Sequence, residues 1–340
     1  MWPIIGQPRA LAWIERSLKE GRLPHAHLFT GPPHVGKTTL ALTLSQAVNC
    51  ESDDPPCGKC PSCLHIARGI HPDVVLLSTE DTGLSTEENG GSKRSIGIKR
   101  IMEIQHLAHL KPYQGRWRVF IIQGAELLTG DAANCLLKTL EEPPPNVLFI
   151  LLTAQEDRLP STVVSRCQRV EMRPTSTETV RDFLVQGRSL SSEHAETLAR
   201  QCLGRTGLAV MAVDNHPEWQ QRQETISALA SLIEANRDKQ LATASGWAEQ
   251  FGKAPETTKD TLTLWRSWWR DLLLIKGGCP PLVTHQDWEG QTIKQAQQYT
   301  LGEIVSFIHS IGNAIQQLDQ NANPRLVLEV LMLGLPQGMR

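Results

Sequence analysis

The segment Gly31-Pro32-Pro33-His34-Val35-Gly36-Lys37-Thr38 decides the fold. It satisfies the pattern G-x-x-x-x-G-K-[ST]. It lies between a short apolar run, His27-Leu28-Phe29-Thr30, and a helical pattern from Lys37 to Val48 carried by Leu40, Leu44 and Val48. A strand, such a loop and a helix in that order aim backbone N–H groups and a helix N-terminus at phosphate oxygens. Gly31 and Gly36 shape the loop, Lys37 reaches the β- and γ-phosphates, and Thr38 offers its hydroxyl to Mg²⁺, with Thr39 beside it in the first helical turn. The sequence therefore predicts a P-loop fold.

Outward from this loop, Val119-Phe120-Ile121-Ile122 and Val147-Leu148-Phe149-Ile150-Leu151-Leu152 are apolar without alternation. Such runs fit strands buried on both faces of a parallel sheet. Val74-Val75-Leu76-Leu77 reads as a further strand. Helices are expected over residues 9–20, from Ile98 onward with Ile101, Met102, Gln105, Leu107 and Leu110, and over 132–142, where Pro143-Pro144-Pro145 stops the chain. Residues 80–94 are polar and read as a solvated loop. Alternating strands and helices through residue 170 make an α/β domain. Beyond residue 172 the pattern turns helical: 177–185, 192–202, most of the chain after Pro217, 301–318 and 326–335. Leu262, Trp265, Trp268, Trp269 and Leu272 form one stripe, read as helical core or subunit interface rather than a base-stacking platform.

The chain has 340 residues, enough for two or three domains. Its 34 Lys+Arg against 36 Asp+Glu leave a net charge of −2, which argues against coating nucleic acid or membranes by bulk charge. No run of about twenty apolar residues is present, so no membrane span is expected. Met1-Trp2-Pro3-Ile4-Ile5-Gly6 lacks a basic segment followed by an apolar one, which predicts a cytoplasmic chain.

Of the 8 cysteines, Cys50, Cys57, Cys60 and Cys63 fall as C-x₆-C-x₂-C-x₂-C. Four thiolates so close suit a tetrahedral, structural Zn²⁺, closed to water; unrelated reduced thiols and a redox Cys-x-x-Cys are the competing readings. Cys135, Cys167, Cys202 and Cys279 read as small buried hydrophobes. An acidic pair usually follows a later strand of a P-loop domain, yet here Gln123-Gly124-Ala125-Glu126 follows Val119–Ile122. Glu126 lies two residues too far along and reads as a surface residue. Without the pair, hydrolysis loses a metal ligand and a base together, so little or no ATPase activity is expected.

Several segments together resemble bacterial clamp loader AAA+ subunits. They are Ile4-Ile5-Gly6-Gln7, Pro24-His25-Ala26-His27-Leu28-Phe29 with the P-loop, the four-cysteine insertion, Ala132-Ala133-Asn134-Cys135-Leu136-Leu137-Lys138-Thr139-Leu140-Glu141-Glu142-Pro143-Pro144, Leu159-Pro160 and Ser165-Arg166-Cys167. The likeness is dense over residues 4–170. It thins afterwards to Trp269-Arg270-Asp271-Leu272-Leu273 and Asn323-Pro324-Arg325-Leu326. It implies an AAA+ P-loop domain over 1–171 with a zinc module at 50–63, a helical lid over 172–214 and a helical collar over 215–340 that oligomerises.

The resemblance implies ATP and Mg²⁺ as ligands of the loop and Thr153 at the sensor 1 position. Arg166 takes the place of an arginine finger acting in trans on a neighbour's ATP, where residue type alone suggests a surface arginine. Partners would be motor subunits of the gamma/tau kind, a delta-like subunit, the sliding clamp and primed DNA. Lys93, Arg94, Lys99 and Arg100 stand where this family approaches the DNA backbone; a solvated loop end is the equal alternative. Gly207 stands where a motor subunit has the sensor 2 arginine, and His34 where the loop often has glycine, a position that favours φ > 0. These departures resemble the non-hydrolysing members of the family. A hydrolysing motor subunit or other AAA+ ATPase, and a binding module outside replication, remain the competing functions.

Overall fold

The computed structural model describes residues 2–78 and 95–338. They form two compact units, one of 2–78, 95–183 and 204–207, the other of 184–203 and 208–338. No helix among the described residues is long and apolar enough to cross a membrane.

In the first unit, chain order runs α1 (Pro8–Lys19), β1 (Ala26–Thr30), α2 (Lys37–Asn49), α3 (Pro61–Ala67), β2 (Val74–Leu77), α4 (Ile98–Ala108), β3 (Arg118–Gln123), α5 (Gly130–Glu141), β4 (Val147–Thr153), α6 (Ser161–Val164), β5 (Gln168–Glu171) and the start of α7 (Thr177–Arg188). The strands make one parallel sheet in the order β2-β3-β4-β1-β5. Strand alternation sends successive side chains to opposite faces, which explains the unbroken apolar runs. Val119, Ile121, Leu148, Ile150 and Leu152 join Phe29 in the core beneath α1 and α2. Phe120, Ile122, Phe149 and Leu151 join Leu28 in the opposite core, with α4 and α5. Interior strand β1, flanked by β4 and the edge strand β5, therefore carries the phosphate loop.

Several helix ends follow local chemistry. Thr129 caps α5 by accepting the Ala132 N–H, and Cys60 caps α3 through its sulfur. In α4 the buried face is Ile101, Ile104 and Ala108, whereas Ile98, Met102 and Leu110 are exposed. The helix stops at Ala108, so Leu110 lies beyond it and does not continue its apolar face.

The second unit holds α8 (Ser192–Cys202), most of α9 (Thr206–Val213), α10 (Pro217–Ile233), α11 (Arg237–Lys253), α12 (Pro255–Lys276), α13 (Glu289–Gln298), α14 (Leu301–Asp319) and α15 (Pro324–Leu333). Helix α12 packs on α13 and α14, and α11 on α15. Trp265, Trp268 and Trp269 are fully buried; Trp265 and Trp269 meet Trp247, Phe307 and Tyr299, and Trp268 meets His285 and Trp288, in edge-on and tilted contacts. The Trp268 indole donates to Gln295 at 2.9 Å. The tryptophan stripe is therefore core.

Candidate functional site

The phosphate loop is held by backbone contacts that only particular residues allow. Thr30 pairs in register with Thr153, and the next N–H, that of Gly31, donates to the Thr153 carbonyl at 3.3 Å. Gly31 has φ 144°, and a Cβ there would fall 2.1 Å from the Met172 carbonyl oxygen, so only glycine fits. His34 sits at φ 64°, as its place in the loop predicts. Gly36, at φ 100°, is the residue before α2, and its carbonyl receives the Leu40 N–H.

Lys37 turns back on the loop, donating to the carbonyls of Gly31 and Pro32, the latter at 2.9 Å. Burial lowers its pKa to about 8, with the charge of Glu126 acting the other way. Thr38 is half-buried and Thr39 exposed in the first turn of α2. The buried Thr153 hydroxyl accepts the Gln155 N–H at 3.0 Å. Gly31, Gly36, Lys37, Thr38 and Thr153 thus gather where β1 and β4 end, the edge at which open parallel sheets bind ligands.

Two neighbours of this loop were not expected from the sequence. The Gly207 N–H donates to the His34 carbonyl at 2.7 Å. A Cβ on Gly207 would lie 2.8 Å from that oxygen and 3.2 Å from His34 Cα. No side chain, least of all arginine, fits here without moving the loop. The second neighbour is Glu126, which is half-buried and not a freely solvated surface residue. After Gly124 at φ 69° the chain makes a 3-10 turn, Ala125–Leu127, that swings the Glu126 carboxylate across to the Ala154 N–H at 3.4 Å. An acidic residue within a few positions of a strand end was the available signal; the turn that aims it was not legible.

Arg166 follows α6, with its side chain partly exposed. It donates to the Thr162 carbonyl at 2.9 Å and pairs with Glu141 at the end of α5. Its contacts are with these residues and not with the chain's own phosphate loop. At the start of α4, Lys99 is exposed, while Arg100 pairs with Glu103 at 2.6 Å. Lys93 and Arg94, like all of the polar stretch 80–94, lie outside the described residues.

Beyond the other end of α2 lie the four cysteines. The Sγ atoms of Cys50, Cys57, Cys60 and Cys63 all lie within 4.8 Å of one another. Tetrahedral metal–thiolate bonds of about 2.3 Å space the sulfurs about 3.8 Å apart, so the set fits a closed four-sulfur metal site. Cys50 Sγ accepts the Cys57 N–H at 3.4 Å, and Cys57 Sγ accepts N–H groups from Lys59 and Cys60 at 3.4 and 3.3 Å. Those two donors draw the Cys57 thiol down to about 6, whereas burial pushes Cys63 up to about 12. Gln46 of α2 anchors the module by donating to the Cys63 carbonyl at 2.9 Å. Among the other four cysteines, Cys202 is buried, Cys135 and Cys167 are half-buried, and Cys279 is exposed, so the reading as buried hydrophobes fails for Cys279.

A family model described as DNA polymerase III, delta subunit, matches residues 6–176, and one for the C-terminal part of that subunit matches residues 216–337. The chain is 30% identical to DNA polymerase III subunit delta' of Bacillus subtilis (strain 168), over 98% of this chain and 97% of that one. It is 29% identical to DNA polymerase III subunit tau of Escherichia coli (strain K12), over 70% of this chain and 39% of that protein. A solved gamma subunit-related protein from Thermotoga maritima aligns at 18% identity and TM-score 0.45, over 94% of this chain and 97% of that one.

Proposed function

The chain belongs to the DNA polymerase III delta-subunit family, and on that premise we propose that it serves as a delta-prime-like, non-hydrolysing stator of a clamp loader. Its task is to help assemble the loader that places a sliding clamp on primed DNA in the cytoplasm. It works through a P-loop domain (1–171), a helical lid (172–214) and a helical collar (215–340). Its partners are motor subunits of the gamma/tau kind, a delta-like subunit, the clamp and DNA.

The observation that carries the reading is what surrounds the phosphate loop. The loop keeps Lys37 and Thr38 and can hold ATP. Gln123 and Gly124 supply neither carboxylate of the usual pair, and the Gly207 N–H on the His34 carbonyl takes the space an arginine would need. A site without an activating base or a charge-stabilising arginine binds better than it hydrolyses.

Arg166 acts outward, as a finger stabilising charge on the γ-phosphoryl of ATP held by a neighbouring motor subunit. Its pair with Glu141 is partly solvent-exposed and worth about 1 kcal/mol, so a stronger anion displaces it readily. Cys50, Cys57, Cys60 and Cys63 hold a structural Zn²⁺, which ties the chain after α2 to α3. Lys99 contributes at most a sequence-independent phosphate contact.

Steady-state ATPase assay of the isolated chain tests the stator reading. No turnover above background is expected, and robust turnover abolished by Lys37→Ala would restore the motor reading. A chain that fails to co-purify with any loader subunit belongs instead to a binding module outside replication.

A further inference from the structure

The phosphate site is missing an acidic pair, yet a carboxylate reaches it by another route. Glu126 lies in the turn after β3, and its Oε1 accepts the N–H of Ala154, the residue after Thr153. That contact stations the carboxylate over the end of β4, whose Thr153 carbonyl receives the first N–H of the phosphate loop. Its other oxygen, Oε2, is sealed from solvent and has no hydrogen-bond partner among the described residues. So is the Thr30 hydroxyl, at the end of β1 and in register with Thr153. An ionised carboxylate oxygen left dry and unpaired costs several kcal/mol unless a cation or a donor meets it. Its charge favours the ionised form of Lys37, but that ammonium donates to the carbonyls of Gly31 and Pro32. Two buried, partnerless oxygens beside a phosphate loop, with Thr38 in the adjoining turn, make an oxygen-rich setting. It suits a hard divalent ion that keeps several waters and takes one or two carboxylates plus phosphates.

We propose that Glu126 is the metal-side carboxylate of this site, holding through Oε2 the magnesium ion of a bound nucleotide, or one of that ion's waters, in place of the absent pair. The proposal rests on the reading that the loop binds nucleotide. It leaves the chain a poor ATPase, because one carboxylate committed to the metal supplies no base for an attacking water. The rival role for Glu126 is a plain counter-charge to Lys37, which would compete with phosphate.

Equilibrium titration of the full chain with a fluorescent ATP analogue, in Mg²⁺ and in EDTA, separates these roles. Wild type should bind about tenfold or more tighter with Mg²⁺. Glu126→Gln should lose that gain while keeping its EDTA affinity within about twofold of wild type. Glu126→Asp keeps the charge at shorter reach and should retain part of the gain, which guards against a general effect on the turn. A Glu126→Gln chain with the full Mg²⁺ gain, or with tighter binding under both conditions, overturns the proposal in favour of no role or of the counter-charge. Wild type that binds under neither condition overturns the nucleotide reading itself, and this proposal with it.

Discussion

Helix α2 separates two sites of opposite self-sufficiency. At its C-terminal end four cysteines within fourteen residues bring their own sulfurs and most of their own N–H donors, so the site is complete as soon as the local chain folds. At its N-terminal end the phosphate loop is equally intact in sequence, but the groups that would make it catalytic come from elsewhere. They come from the ends of β3 and β4 and from the segment 204–207; Thr153 of β4 is in place, whereas Gln123, Gly124 and Gly207 supply neither carboxylate nor arginine. A motif certifies what lies inside it. On the stator reading, turnover depends on residues about 90 to 170 positions away.

The largest effect expected is at the cysteine end. Cys63 is fully buried, and Cys63→Ser should drop bound metal, measured by elemental mass spectrometry, from one zinc per chain towards none. The melting temperature should fall with it, because the binding energy of a structural zinc is folding energy of order 10 kcal/mol. A folded wild-type chain carrying well under one zinc would break the contrast at its root.

Asp73 separates completeness from locality. Its fully buried carboxylate accepts the N–H groups of Tyr113, Gln114 and Gly115 at 2.7–2.8 Å and pairs with Arg118 at 2.9 Å, across about forty residues of sequence. Burial pushes its pKa up, but those donors outweigh it and hold the group below the usual carboxylate range. Its contribution is therefore present above the unfolded value near 4 and is lost as pH falls through the lower folded one. Asp73→Ala should cost about 3–5 kcal/mol in a denaturant titration at pH 7 and less at pH 3. An equal cost at both values would show that charge is not what holds residues 113–118.

Gly207→Arg restores the sensor 2 residue type and should still fail to restore turnover. The clash with the His34 backbone should cost about 1–3 kcal/mol of stability. A stable, hydrolysing variant would mean that the missing arginine alone separates this site from a motor's.

The smallest effect concerns protonation. Because the Lys37 ammonium of the free protein loses its proton near pH 8, affinity for an ATP analogue should be flat below pH 7 and fall about tenfold per unit above 8. Affinity unchanged from pH 7 to 9 would show that Lys37 does not meet the phosphates.

Local pattern made much of this molecule legible. The runs at 119–122 and 147–152 are strands because both faces of the sheet are covered, and Leu40, Leu44 and Val48 place α2 correctly. The edge strand β5 escapes notice because Gln168-Arg169-Val170-Glu171 buries only Val170, leaving too short a pattern to read. Helix α3 hides inside the cysteine module, since its first turn is capped by a cysteine sulfur and not by one of the usual polar residues. The place of Glu126 depends on a positive φ at Gly124, and the fit of Gly207 on a backbone approach from about 170 residues away. Neither leaves a trace in periodicity or spacing.

The most direct test of the stator reading is clamp- and DNA-stimulated ATPase of the loader reassembled from its motor and delta-like subunits with either wild-type or Arg166→Ala chain. With assembly intact by size exclusion, the variant complex should lose about 10³-fold of the stimulated rate at the adjoining motor site, as removal of an arginine finger does. A variant complex that assembles and hydrolyses like wild type would contradict a finger acting in trans.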